Sequence, residues 1–230
     1  MTYTPRRPAN ELAFGGGDIS LHYSLEHPAV PLGYEDTIEQ WQVDITCYLT
    51  ETCSDPGGCN HGETEATIGS MSFVRIRNHT RHSAWRAADA YSADVEKAVA
   101  AVIDPHTTRK AGLNWSTRFE DHIELPVGDL LVMEHVQLAA EYRGFGIGAL
   151  AASEAVRRLS PGCCAVACEP SPLGRDLDGD EAARAQAKAR LGRLWESVGF
   201  RPFQGGIYLL DTARRLHGDR REAWQRYFGL

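Results

Sequence analysis

The 230-residue sequence has no apolar run approaching the roughly 20 residues that a membrane-spanning helix needs, and no helical membrane span is expected. It also lacks a basic excess. Its 24 lysines and arginines face 31 aspartates and glutamates, a net charge of −7, so no overall positive field exists to hold a nucleic acid, and an anionic ligand has to find local positive ends. There are only six cysteines, and the segment from Met1 to Pro8 has no apolar stretch of the signal-peptide kind. Reduced thiols rather than a disulfide framework are expected, in the cytoplasm. No Gly-Lys-Ser/Thr phosphate loop occurs, nor the full dinucleotide fingerprint with its βαβ repeats. With 43% hydrophobic and 24% charged residues, the composition is that of a globular protein, and one domain with embellishments fits the length.

What is present is an apolar run joined to a helical pattern through three alternate glycines. Leu130 to Leu138 is rich in Leu, Val and Met and reads as a buried strand. From Ile147 onward, Leu150, Ala151, Val156 and Leu159 recur at helical spacing until Ser160, Pro161 and Gly162 stop the run. Between them lie Arg143, Gly144, Phe145, Gly146, Ile147 and Gly148. Glycine lets the backbone turn tightly and lets a ligand approach its N–H groups. At the start of a helix those N–H groups are unpaired and stand at the positive end of the dipole, which suits a phosphate.

Elsewhere, Ile19, Leu21, Tyr23 and Leu25 alternate with polar residues and permit a short strand after a loose, proline-bearing N-terminal arm. Trp41, Val43, Ile45, Cys47 and Leu49 make a clean period of two, a half-buried strand. In the next strand, Thr67 to Arg77, the apolar set moves from Met71 and Phe73 to Val74 and Ile76, which suggests a bulge or a switch of face. The intervening loop carries Cys53, Cys59 and His61, which are zinc-type ligands that Cys47 could join, but their spacing matches no usual zinc motif and no metal is expected. Ser83 caps an expected helix from Ala84 to Ile103. Asp104 to Asp129 reads as a long loop with a short strand at Ile123 to Leu125, and its His106 and His122 read as solvated. A small-residue strand from Cys163 ends at Glu169. A helix from Glu181 to Val198 follows, closed by Gly199, and then a last strand from Gly206 to Asp211. Ala223, Trp224, Tyr227 and Phe228 sit at helical spacing in an Arg-rich tail, which reads as a packed helix or as a basic surface for a cofactor phosphate or a partner.

The glycine turn resembles the signature of the GNAT superfamily of acyl-CoA N-acyltransferases, Gln/Arg-x-x-Gly-x-Gly/Ala, on Arg143, Gly146 and Gly148. A second family element, an apolar helix ending in Gly-Phe, is matched by Leu191 to Phe200. The resemblance implies an α/β (α+β) fold with a mixed, mostly antiparallel sheet, splayed at the central strand and flanked by helices. It divides the chain into an arm with an extra strand (1–40), the acyltransferase domain (41–211) and a basic helical tail (212–230). It implies acetyl-CoA as co-substrate and transfer of its acetyl group to an amine acceptor in a ternary complex. No nucleic-acid or membrane partner is implied, and a homodimer is left open. The pantetheine arm is expected against Val136, Gln137 and Leu138, and the pyrophosphate against Arg143, Gly144, Phe145, Gly146, Ile147, Gly148 and Ala149. Many members carry a tyrosine acid four residues before the Gly-Phe pair. Here that position is Trp195, whose indole N–H is no useful acid, so Tyr208 or Tyr142 is the expected substitute, or water protonates the leaving thiolate. Glu169 is the first candidate base and Glu134 the second, each with a pKa expected to be raised by partial burial. The alternative from another class is a GNAT-like sensor or interaction module that binds acyl-CoA without turnover.

Overall fold

A computed structural model describes the chain except for residues 1–4, 13, 16–17, 32, 51–62, 108, 173–179, 215–221, 223–224 and 228–230, and except for the side chains of 49–50 and 63–64. Seven strands form one sheet: β1 (Ile19–Glu26), β2 (Ile38–Thr50), β3 (Glu63–Ile76), β4 (Asp129–Leu138), β5 (Cys163–Cys168), β6 (Arg201–Pro202) and β7 (Tyr208–Asp211), in the order β1-β2-β3-β4-β5-β7-β6. Only β4 and β5 run parallel; every other neighbouring pair is antiparallel. The sheet is therefore mixed and mostly antiparallel, as expected. Among the described residues, five helices flank it: α1 (Ala84–Tyr91), α2 (Ala93–Val102), α3 (Thr117–His122), α4 (Ile147–Leu159) and α5 (Glu181–Ser197).

Both faces of the central strands are buried. One core joins Val43, Ile45, Met71, Phe73, Leu131 and Met133 to α4 and to Trp195 of α5. The other joins Val74, Ile76, Leu130 and Val132 to α1, α2 and Phe119 of α3. This explains the apolar shift along β3. Phe73 and Val74 face opposite cores in ordinary alternation, because the second face becomes covered toward the end of the strand. The bulge lies earlier, where Ile45 pairs with Gly69 and Thr46 with Thr67, leaving Ile68 over. Close to it, a Cβ on Gly69 would stand 2.4 Å from the Gln137 carbonyl oxygen, so β3 and β4 approach there as only glycine allows.

Three expectations need correction. The single helix from Ala84 to Ile103 is two, broken at Ser92, whose extended backbone (φ −160°, ψ 153°) ends α1 while its hydroxyl accepts from the Val95 amide and starts α2. The physical reason is the competition of a serine side chain with the backbone ladder. Ile123 to Leu125 is not a strand: Ile123 ends α3, which Ser116 caps at its start, and Leu125 is exposed. The N-terminal arm is not loose over its described residues, because Arg6 and Arg7 donate their amides to the Gly144 carbonyl at 2.8 and 3.2 Å. The Cys53, Cys59 and His61 loop and most of the tail, including Ala223, Trp224 and Phe228, lie outside the described residues.

Candidate active site

The site is set by where β4 loses its neighbour. β5 pairs with β4 from Asp129 to Met133 only, while β3 stays paired with β4 as far as Leu138. Beyond Met133 the two parallel strands diverge, and Glu134 to Leu138 have a strand on one side alone. A cleft of about 920 Å³ opens in the gap. Its walls include Asp94 and Ala98 of α2 from one face of the sheet. From the other come Gly146, Gly148 and Ala149 of the glycine turn and Leu191, Leu194 and Trp195 of α5.

The divergence coincides with a second bulge. Ser72 pairs with His135 and Phe73 with Met133, so Glu134 has no opposite residue. A bulge re-aims the side chain it carries. Leu131 and Met133 face the core under α4, and after the bulge Val136 and Leu138 do so. Glu134 is turned into the cleft, where its carboxylate accepts hydrogen bonds from the Tyr91 hydroxyl (3.2 Å) and the Ser92 hydroxyl (3.3 Å). The break between α1 and α2 delivers both donors. Burial raises the Glu134 carboxyl above its ordinary pKa and outweighs the opposing effects of His135 and the two hydroxyls. Burial and the nearby carboxylate push Tyr91 up to about 12, so its phenol stays protonated and donates.

Glu169, just past β5, lines the same cleft but is bound on both sides, by Lys97 at 2.6 Å and Lys188 at 2.7 Å. Burial alone would raise its pKa. The hydrogen bonds and charges of the two lysines more than offset that, and the carboxyl sits below the usual value. The raised pKa expected of a base is thus found at Glu134 and not at Glu169. A sequence cannot show two lysines from α2 and α5 converging on one carboxylate.

At the turn, Gly146 caps α4 in the left-handed region (φ 79°) with no capping side chain. The amides of Gly144, Gly146 and Gly148 bond no acceptor among the described residues. Val136, Gln137, Leu138, Arg143, Gly144, Gly146, Gly148 and Ala149 all line the cleft. Phe145 and Ile147 do not, because their side chains are buried in the core. Arg143 is fixed by an Nε bond to the Leu138 carbonyl at 2.8 Å. A Cβ on Gly148 would make only ordinary contact, 3.5 Å from Leu138, so alanine fits there.

The structure does not bring the tyrosine candidates to the cleft. The Tyr208 hydroxyl packs against Gly192 of α5, 2.7 Å from where a Cβ would be, and Tyr142 packs on Phe14 with ring centroids 5.8 Å apart. No tyrosine lines the cleft among the described residues. Trp195 does, 6% exposed and edge-on to Phe200. Cys168 also reaches the cleft, but burial holds its thiol well above the usual pKa. His106 and His122 lie elsewhere, and His122 is packed edge-on against Phe203 rather than solvated. Sequence reasoning missed Tyr91, Ser92 and Arg6. The serine is the only one with a local signal, since a serine followed by a carboxylate-rich turn can start a helix.

No family model matches the sequence, and no curated protein matches it. Among solved structures, a crystal structure of a mutant of KacT aligns over 77% of this chain and 72% of that one, with a TM-score of 0.37 and 8% identity. An overlap that loose says nothing about chemistry.

Proposed function

We propose that the chain is an acyl-CoA-dependent N-acetyltransferase, moving the acetyl group of acetyl-CoA to an amine by direct attack in a ternary complex. The observation that carries this reading is the half-partnered stretch Glu134 to Leu138, which runs along a cleft into a glycine turn with unsatisfied amides. The free edge of a strand suits the amide-bearing pantetheine arm, which can pair with it as a further strand. The turn suits the pyrophosphate that follows. Val136, Gln137 and Leu138 would hold the first, and Arg143 through Ala149 the second, mostly through main-chain N–H groups.

In the reaction the amine nitrogen attacks the thioester carbonyl carbon, the C–S bond breaks, the thiolate leaves with the bonding electrons, and the acylated nitrogen gives its extra proton to water as the amide forms. The amine must be neutral, so a base has to take a proton from the ammonium form. Glu134 is the base we assign. Burial holds its carboxyl above the ordinary value, which makes it the better proton acceptor of the two glutamates, and the Tyr91 and Ser92 hydroxyls hold its two oxygens in place. Glu169 is instead taken up by its ion pairs with Lys97 and Lys188. The thiolate takes its proton from water, which a leaving group with a thiol pKa of about 8.5 permits without an enzymic acid. Attack by Cys168 is disfavoured because the thiol stays protonated.

A second reading, an acyl-CoA-binding module without turnover, is favoured by Trp195 standing where a tyrosine acid is usual. Single-turnover release of free thiol from acetyl-CoA, measured with a panel of primary amines, separates the two. Amine-dependent release is expected. Tight coenzyme binding with no release for any amine would establish the second reading instead.

A further inference from the structure

The arm ahead of β1 makes a specific contact that the proposed reaction does not yet use. Both arginine amides bond one carbonyl of the glycine turn, that of Gly144. Arg7 is then consumed in holding the arm down. Its guanidinium lies over the Phe145 ring, 4.0 Å from the centroid, and donates to the Glu141 carbonyl at 2.9 Å. Its Nε pairs with Glu11 at 3.1 Å, and its own carbonyl accepts from the Tyr227 hydroxyl at 2.5 Å. Arg6 is treated differently. Its side chain lines the cleft beside Gly144 and Arg143, and its guanidinium has no carboxylate partner among the described residues. Arg143 and Arg190 of α5 are the other cations lining the cleft, and Arg143 has its Nε on the Leu138 carbonyl; Lys97 and Lys188, from α2 and α5, are both neutralised by Glu169. In a chain of net charge −7, an unpaired guanidinium held at a cleft by its neighbour's contacts is a positive end for an anion.

We infer that Arg6 is a phosphate ligand of the cleft, so that the arm and the glycine turn grip the anionic end of the coenzyme from two sides. This rests on the coenzyme reading above and adds a residue from a segment outside the sheet. A guanidinium fork matches either the diphosphate or the 3′-phosphate, and the two sources are separable.

The test is calorimetry of the full chain, wild type and Arg6→Gln, with coenzyme A and with 3′-dephospho-coenzyme A. Because the arm is docked by main-chain and Arg7 contacts, Arg6→Gln leaves the docking intact, which an unchanged melting temperature checks. The expected result is about tenfold weaker binding of coenzyme A, since one charged hydrogen-bonding group is lost, with Arg6→Lys keeping part of the affinity. Equal weakening for both ligands assigns Arg6 to the diphosphate. Weakening for coenzyme A alone assigns it to the 3′-phosphate. Wild-type binding with Arg6→Gln within twofold for both ligands overturns the role of Arg6 and leaves the coenzyme reading standing. Absence of heat from the wild type with either ligand overturns the coenzyme reading itself.

Discussion

Of the three carboxylates that line the cleft, Glu134 and Glu169 are pushed in opposite directions by their surroundings. Glu134 is raised by burial, so the folded protein binds its proton more tightly than the unfolded chain. Stability from this group is therefore lost as pH rises from the ordinary carboxylate range through the folded pKa, and Glu134→Gln should raise the melting temperature at pH 7 to 8. The same variant should lower kcat by about 100-fold or more, the usual contribution of a positioned base. It should also abolish the rising limb of kcat/KM with pH. Glu169 is lowered on balance, so its contribution is complete above the ordinary carboxylate pKa and is lost as pH falls through the folded one. Its lysine partners are nearly half exposed, so Glu169→Gln should cost only about 1 kcal/mol at pH 7, and the difference should vanish in acid. Chemical denaturation of both variants across pH 3 to 8 checks the signs. A melting temperature that falls in Glu134→Gln at neutral pH would remove the basis for naming it the base.

At the scale of elements, the glycine turn and the bulged strand divide the work of binding and aiming. Gly146 stands at φ 79°, where a β-branched side chain is strained by about 1–3 kcal/mol. Gly146→Val should thus both destabilise the protein and weaken coenzyme A binding by about 100-fold or more, with several charged hydrogen bonds of roughly 1.5–3 kcal/mol each disturbed. Gly148→Ala should fold normally and keep most of the affinity, because its Cβ meets only the Leu138 and Val136 side chains at 3.5 and 3.8 Å. Titration of both variants by calorimetry makes the comparison. These elements were legible in the sequence because period-two and helical spacing, together with alternate glycines, are local patterns. The strands from Ile19, Trp41 and Leu130 and the helix from Ile147 all form near their expected places. What was not legible depends on distant partners. Helical periodicity continues through Ser92, and only the backbone shows that the helix restarts there. The bulge at Glu134 is a mismatch with Ser72 and Phe73, about 60 residues earlier in the chain, and the Tyr91 bond spans 43 positions. The docking of Arg6 is made through main-chain amides, which carry no signature in the residue types.

For the whole molecule, both cores meet at the central strands, and the cleft crosses between them where β4 and β5 part. A ligand seated there ties α2, β4, α4 and α5 together and binds only the folded state. At a coenzyme A concentration of 100 times its dissociation constant, the stabilisation should be about 2.7 kcal/mol. For a domain of this size that corresponds to a rise in melting temperature of roughly 5–10 °C. A thermal-shift titration reads it directly, and no shift at millimolar coenzyme A would mean the cleft holds something else. The tyrosine of the C-terminal segment, bonded to the Arg7 carbonyl, extends the same coupling to both ends of the chain.

The most direct measurement is residue-resolved amide hydrogen exchange with and without coenzyme A. Slowed exchange should be concentrated within Val136 to Leu138, on the edge that β5 leaves open, and at Gly144, Gly146 and Gly148, whose amides bond no acceptor among the described residues. Exchange unchanged at both stretches while the ligand is demonstrably bound would contradict the central claim, since the coenzyme would then lie somewhere other than along the open edge of β4.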